Sequence, residues 1–171
     1  MTAIEAFNAL PDETARQRLG TCLHAPGWAD AVLAGRPYPD RAGLRATAYR
    51  LGCELTDDDL LSALSRHPRI GERPAGTGAD AAHSRAEQGG VDAADAQLAA
   101  DLRAGNLAYE QRFGQVFLIR AAGRSGSEIL AALTERLTHD PQTEALVVRD
   151  QLAQIAELRL EALLDELETA P

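Results

Sequence analysis

The clearest pattern of apolar positions lies near the C-terminal end of the chain. At roughly 100° per residue, Leu152, Ile155, Ala156, Leu163 and Leu167 fall on one stripe of a helix. Pro141 suits the first turn of that helix, which the pattern carries to about Glu168. Arg159 sits in the middle of the stripe. A guanidinium facing a core cannot shed its proton, so it needs a carboxylate of the protein or an anionic ligand.

Capping signals place the other helices. Thr2-x-x-Glu5 and Ser125-x-x-Glu128 are capping boxes, in which the hydroxyl takes an orphan N–H and the Glu reaches back. The first opens a short helix that Pro11 ends; the second opens a helix to Leu137. Asp12 is placed to cap a helix through Leu23, Pro26 to start one that Gly35 terminates, and Asp40 to cap one towards Gly52. Thr56 followed by three Asp residues starts a helix over Leu60 to Arg66, which must stop near His67 because Pro68 disfavours helical geometry before it.

A glycine- and proline-rich loop runs from Pro68 to about Gly78, and a helical segment follows around Ala79–Gln88. Asp92 is placed to cap a long helix to Phe113, closed by Gly114. Val116-Phe117-Leu118-Ile119 is apolar enough for a strand, but no second strand exists to pair with it. It reads as a buried connection or helix segment. The expectation is an all-α fold, a single compact domain over residues 1–171 with about seven to nine helices.

Composition narrows the chemistry. The 171 residues are 45% hydrophobic and 25% charged, ordinary for a globular chain, with aromatics at only 4%. The formal charge of −9 argues against nucleic acid and against anionic membrane as partners. All 17 basic residues are arginine. Without lysine there is no Schiff base, no ordinary attachment of pyridoxal phosphate and no P-loop. Cys22 and Cys53 lie in helical patterns far apart and read as structural thiols. No apolar run reaches the length of a membrane span, and Met1-Thr2-Ala3-Ile4-Glu5 has no signal-peptide character, so the expected compartment is the cytoplasm.

Few residues can carry chemistry. His67 stands at a helix end directly before proline, which suits a general acid or base near neutral pH but equally a histidine placed by the helix dipole. His83 and Glu87 share a helical spacing of four, yet no third metal ligand stands nearby, and Ser84-x-x-Glu87 also has capping-box spacing. Gly123-Arg124-Ser125-Gly126-Ser127 leads into a helix N-terminus and reads as a cap or an anion site; it is not a dinucleotide fingerprint.

Taken in order, these strings resemble one family. They are His67-Pro68-Arg69-Ile70-Gly71; Ser84-Arg85-Ala86-Glu87-Gln88; Asn106-x-x-Tyr109-x-x-Arg112-Phe113-Gly114; Phe117-x-Ile119-x-x-x-Gly123-Arg124-Ser125 with Glu128-Ile129-Leu130; and Ile155-x-x-x-Arg159-Leu160. The family is 2-oxo-4-hydroxy-4-carboxy-5-ureidoimidazoline (OHCU) decarboxylase, and the resemblance runs from the first helix to the last.

The resemblance implies an all-α homodimer that converts the small molecule OHCU to (S)-allantoin and CO2, the last step from urate, without a metal or organic cofactor. It makes His67 the catalytic acid/base, with Glu87 beside it. It places Pro68, Ser84, Arg85, Ala86, Glu87 and Gln88 along the substrate. Phe117, Ile119, Arg120, Ala121, Ala122 and Gly123 complete the lining, and Arg159 meets a ligand oxygen. A small acidic helical binding or adaptor module is the competing reading, and it predicts tolerance of substitutions at His67. A metal-dependent lyase or hydrolase using His83 and Glu87 is a third, which chelators would expose.

Overall fold

The computed structural model describes residues 1–71 and 96–169. Among them are eight helices and no strand: α1 Ala3–Ala9, α2 Asp12–Cys22, α3 Pro26–Ala34, α4 Arg41–Cys53, α5 Asp57–Leu64, α6 Ala96–Phe113, α7 Gly126–Arg136 and α8 Pro141–Thr169. The expected helical segment around Ala79–Gln88 and the Asp92 cap lie outside the described residues. No described helix is long and apolar enough to cross a membrane.

Local chemistry explains most boundaries. Both capping boxes form: Thr2 with Glu5, and Ser125 with Glu128. Asp40 accepts from the Gly43 N–H at 2.7 Å, and Pro26 occupies the first turn of α3. Asp12 departs from its expected role. It is the first residue of α2, after Pro11, and its carboxylate pairs with Arg36 instead of capping. The Arg36 guanidinium also donates to the Phe7 and Leu10 carbonyls, so its claim on Asp12 outweighs a local cap. Helix α5 ends at Leu64, two residues earlier than expected. The His67 N–H closes onto the Leu64 carbonyl at 3.1 Å, a tighter turn that lets His67 leave helical geometry before Pro68.

The residues gather into two compact units, Met1–Ala63 with Arg149–Pro171, and Leu64–Val148. In the first unit the Trp28 indole donates to the Ala48 carbonyl at 2.9 Å, tying α3 to α4. Arg45 of α4 forms an ion pair with Glu157 of α8 at 2.8 Å, and Arg41 reaches Asp165 and Glu168 at the same distance. The expected stripe is real: Leu152, Ile155, Ala156 and Leu163 are buried, while Leu167 is half-buried. Both cysteines are free thiols. Burial pushes the Cys22 thiol up to about 12, against the opposing pull of the Arg159 charge, so it is chemically inert.

The second unit is built around one apolar cluster of Ile70, Leu102, Tyr109, Phe117, Ile119, Ala121, Ile129 and Leu133. Its members come from α6, α7 and the connections before and between them. Phe117-Leu118-Ile119 is buried but not helical and, among the described residues, not paired with a strand, the buried connection expected from a lone apolar run.

Candidate functional site

His67 is half-buried on the short connection after α5. Proline restricts the backbone behind it, and the residues ahead of it are held by α6. The Ile70 carbonyl accepts from Asn106 Nδ2 at 3.0 Å, and the Ile70 side chain enters the apolar cluster. Arg69 forks onto Glu110, with Nε to Oε1 at 2.5 Å and Nη2 to Oε2 at 2.8 Å. That guanidinium holds the Glu110 carboxyl below its usual range. Gly71 then turns the chain at φ +83°, a conformation that a side chain would strain. Asn106 and Glu110 are one helical turn apart, so a single face of α6 pins both sides of Ile70.

The second stretch follows α6. Phe117, Leu118, Ile119 and Ala121 are buried, Arg120 and Ala122 are half-buried, and Gly123 is exposed. A turn closes it: the Arg124 N–H donates to the Ala121 carbonyl at 3.0 Å, with Gly123 at φ +79° inside. Arg124 Nε also reaches back to the Arg120 carbonyl at 3.1 Å. The Ser125 main-chain N–H then donates to Glu128 at 2.7 Å and is the first cause of the lowered carboxyl pKa there.

A buried polar group in the same unit escaped the sequence reading. Arg136, 5% exposed, donates through Nη1 to the Leu118 carbonyl at 2.6 Å. Its Nε and Nη2 both reach Glu144 Oε1, at 2.8 and 2.5 Å. The Tyr109 hydroxyl donates to the same carboxylate oxygen, and His139 Nδ1 lies 2.8 Å from the other. Burial first, then the Glu144 carboxylate, pushes the Tyr109 phenol well above its usual range, so it stays protonated. A signal was available: Ile129, Leu133 and Arg136 follow helical spacing, which puts a guanidinium on the apolar face of α7 as surely as Arg159 on α8.

The second unit therefore packs Ile70, three residues after His67, into the same apolar cluster as Phe117, Ile119 and Ala121. Arg159 belongs to the first unit, where it is 6% exposed on α8. Ser84, Arg85, Ala86, Glu87 and Gln88, together with His83, lie outside the described residues. Among the described residues no three His, Cys, Asp or Glu side chains group as metal ligands.

The family model for OHCU decarboxylase matches residues 8–161, which takes in the His67 connection, the stretch from 117 to 123 and Arg159. The chain belongs to the OHCU decarboxylase family. Among similar members, the 2-oxo-4-hydroxy-4-carboxy-5-ureidoimidazoline decarboxylase of Amia calva is 31% identical over 160 residues, covering 92% of this chain and 91% of that protein. The protein of the same name from Haloferax volcanii is 27% identical over 158 residues, with 92% and 93% covered. A crystal structure of OHCU decarboxylase in the presence of (S)-allantoin matches with a TM-score of 0.71 and 25% identity, over 91% of this chain and 99% of that one. The all-helical OHCU decarboxylase fold is thus present.

Proposed function

We propose that this chain decarboxylates OHCU and delivers (S)-allantoin without a metal or organic cofactor, with His67 as its acid/base. Family membership supports the reaction. The geometric observation behind the residue assignment is the convergence of the His67 connection and residues 117–121 on one apolar cluster, each pinned by side-chain hydrogen bonds.

In OHCU the departing carboxylate sits on a carbon that also bears a hydroxyl, beside a ring carbonyl and a ureido nitrogen. As the C–C bond breaks, its electron pair passes into that conjugated system as an enolate-like species. No cofactor sink is needed. One proton must then return to one face of that carbon. The protein has to orient the carboxylate, stabilise the developing oxyanion and deliver the proton.

Main-chain donors from Ile119 to Gly123 suit the second task, since fixed dipoles cost no reorganisation. His67, with Glu87 beside it, suits the third. Pro68 and the stretch Ser84–Gln88 complete the contacts. Family likeness supports Arg159 at an anionic or carbonyl oxygen of the ligand. The same likeness supports a homodimer working in the cytoplasm.

The substrate is unstable, so the test generates it in place from urate with uricase and hydroxyisourate hydrolase, following (S)-allantoin by circular dichroism. The expected result is rapid formation of one enantiomer, unaffected by chelator. His67→Ala should fold and lose about 10²–10⁴-fold in turnover. Turnover no faster than spontaneous decay would leave a non-catalytic binding module as the better reading, and wild-type turnover by His67→Ala would remove His67 from the mechanism.

A further inference from the structure

Residues 117–123 lie outside any helix, and among the described residues no strand pairs with them. One hold on this stretch is a side chain from α7. Arg136 Nη1 meets the Leu118 carbonyl at 2.6 Å, immediately before the stretch assigned to the substrate. The guanidinium lies over the Phe117 ring, 4.6 Å from its centroid. It is held from behind by Glu144 through Nε and Nη2, and Glu144 is in turn held by Tyr109 and His139. Three donors of one rigid planar group are thus engaged, two on a carboxylate and one on the main chain.

We propose that Arg136 is a positioning residue for catalysis: through the Leu118 carbonyl it sets where the main chain of 119–123 stands against the reacting carbon. The inference rests on the reading that this main chain faces OHCU. Arginine is required for its shape as much as for its charge. A lysine at 136 keeps the positive charge beside Glu144, but its single ammonium on a flexible stem cannot reproduce the fork that grips Glu144 and Leu118 together. Tyr109 belongs to the network itself, since its hydroxyl donates to Glu144 and accepts from Arg136 Nη2 at 3.3 Å. Trp28 of the first unit supplies the control: Phe there removes the indole bond to the Ala48 carbonyl and lowers stability.

The experiment compares full-length wild type, Arg136→Lys and Trp28→Phe in the coupled OHCU assay, and follows amide hydrogen exchange over 119–123 in each. Arg136→Lys should lower kcat by about tenfold or more with a smaller change in KM, because misplacing a group by an ångström costs up to about 10²-fold. Its amides over 119–123 should exchange faster. Trp28→Phe should lose stability while keeping wild-type kcat and wild-type exchange over 119–123.

Wild-type kcat and exchange in folded Arg136→Lys would overturn the proposal. So would equal slowing by both variants, which would trace the effect to lost stability alone. If Arg136→Lys does not fold, Glu144→Gln takes its place by loosening the grip on Nε and Nη2. A severalfold fall in kcat then supports the proposal, and an unchanged kcat overturns it. Absence of OHCU turnover by wild type would defeat the functional reading instead, and with it the catalytic role, while the exchange data would still show whether Arg136 holds the stretch.

Discussion

Arg45 and Arg136 make ion pairs of similar length, 2.8 Å to Glu157 and 2.5 Å to Glu144, and they teach opposite lessons. In the first unit Arg45 and Glu157 are 43% and 29% exposed, so water already solvates both charges and their contact replaces little. In the second, Arg136 and Glu144 are 6% and 1% exposed. There each charge has lost its water and depends on the other. The surface pair decorates a contact of α4 with α8 that the close approach of Gly52 to Ala153 already secures. The buried pair carries with it a bond to the Leu118 carbonyl, in a stretch that is neither helix nor strand.

Removing Glu144 tests this contrast most severely. Glu144→Ala leaves a buried guanidinium without a carboxylate and should cost about 3–5 kcal/mol in urea unfolding. A loss as small as that of a surface charge would erase the distinction. Tyr109→Phe takes away one hydroxyl bond to the same carboxylate and should cost about 2 kcal/mol by the same measurement.

The partly exposed Arg69–Glu110 fork falls between the two extremes. Its carboxyl is held below the usual range when folded, so the pair contributes stability above the ordinary Glu pKa and loses it as pH falls through the lowered value. Wild type should therefore lose more stability than Glu110→Gln as thermal melts are taken below pH 4.5, the unshifted Glu value. Smallest of all, Arg45→Ala should cost less than about 1 kcal/mol, and high salt should shrink the difference further.

Features governed by a few neighbouring residues were legible in the sequence. Thr2 with Glu5, Asp40, and Ser125 with Glu128 mark helix starts because their side chains satisfy orphan N–H groups within a turn, and the prolines at 26 and 141 because a first turn needs no N–H from them. Asp12 was misjudged because its partner, Arg36, lies 24 residues away. The burial of Arg159 could be read from a single periodic stripe. That of Glu144 could not, since the groups that make it tolerable are Arg136, eight residues away, and Tyr109, 35 away. For the proposed site, the sequence singled out His67 and residues 117–123 but not the groups that hold the chain beside them. Asn106 and Glu110 looked like ordinary positions on a long helix until the fold brought Ile70 and Arg69 to them.

Helix α6 carries Asn106, Tyr109 and Glu110 within little more than one turn, and they reach Ile70, Glu144 and Arg69 respectively. Such an arrangement makes the helix intolerant of changes in length rather than of changes in composition. Inserting or deleting one residue between Leu107 and Ala108 would rotate one end against the other by about 100°. Asn106 would then part company with Tyr109 and Glu110, and the two stretches they steady would lose their common reference. Indels in this protein should therefore be tolerated in the exposed turns between helices and excluded from this one span of α6.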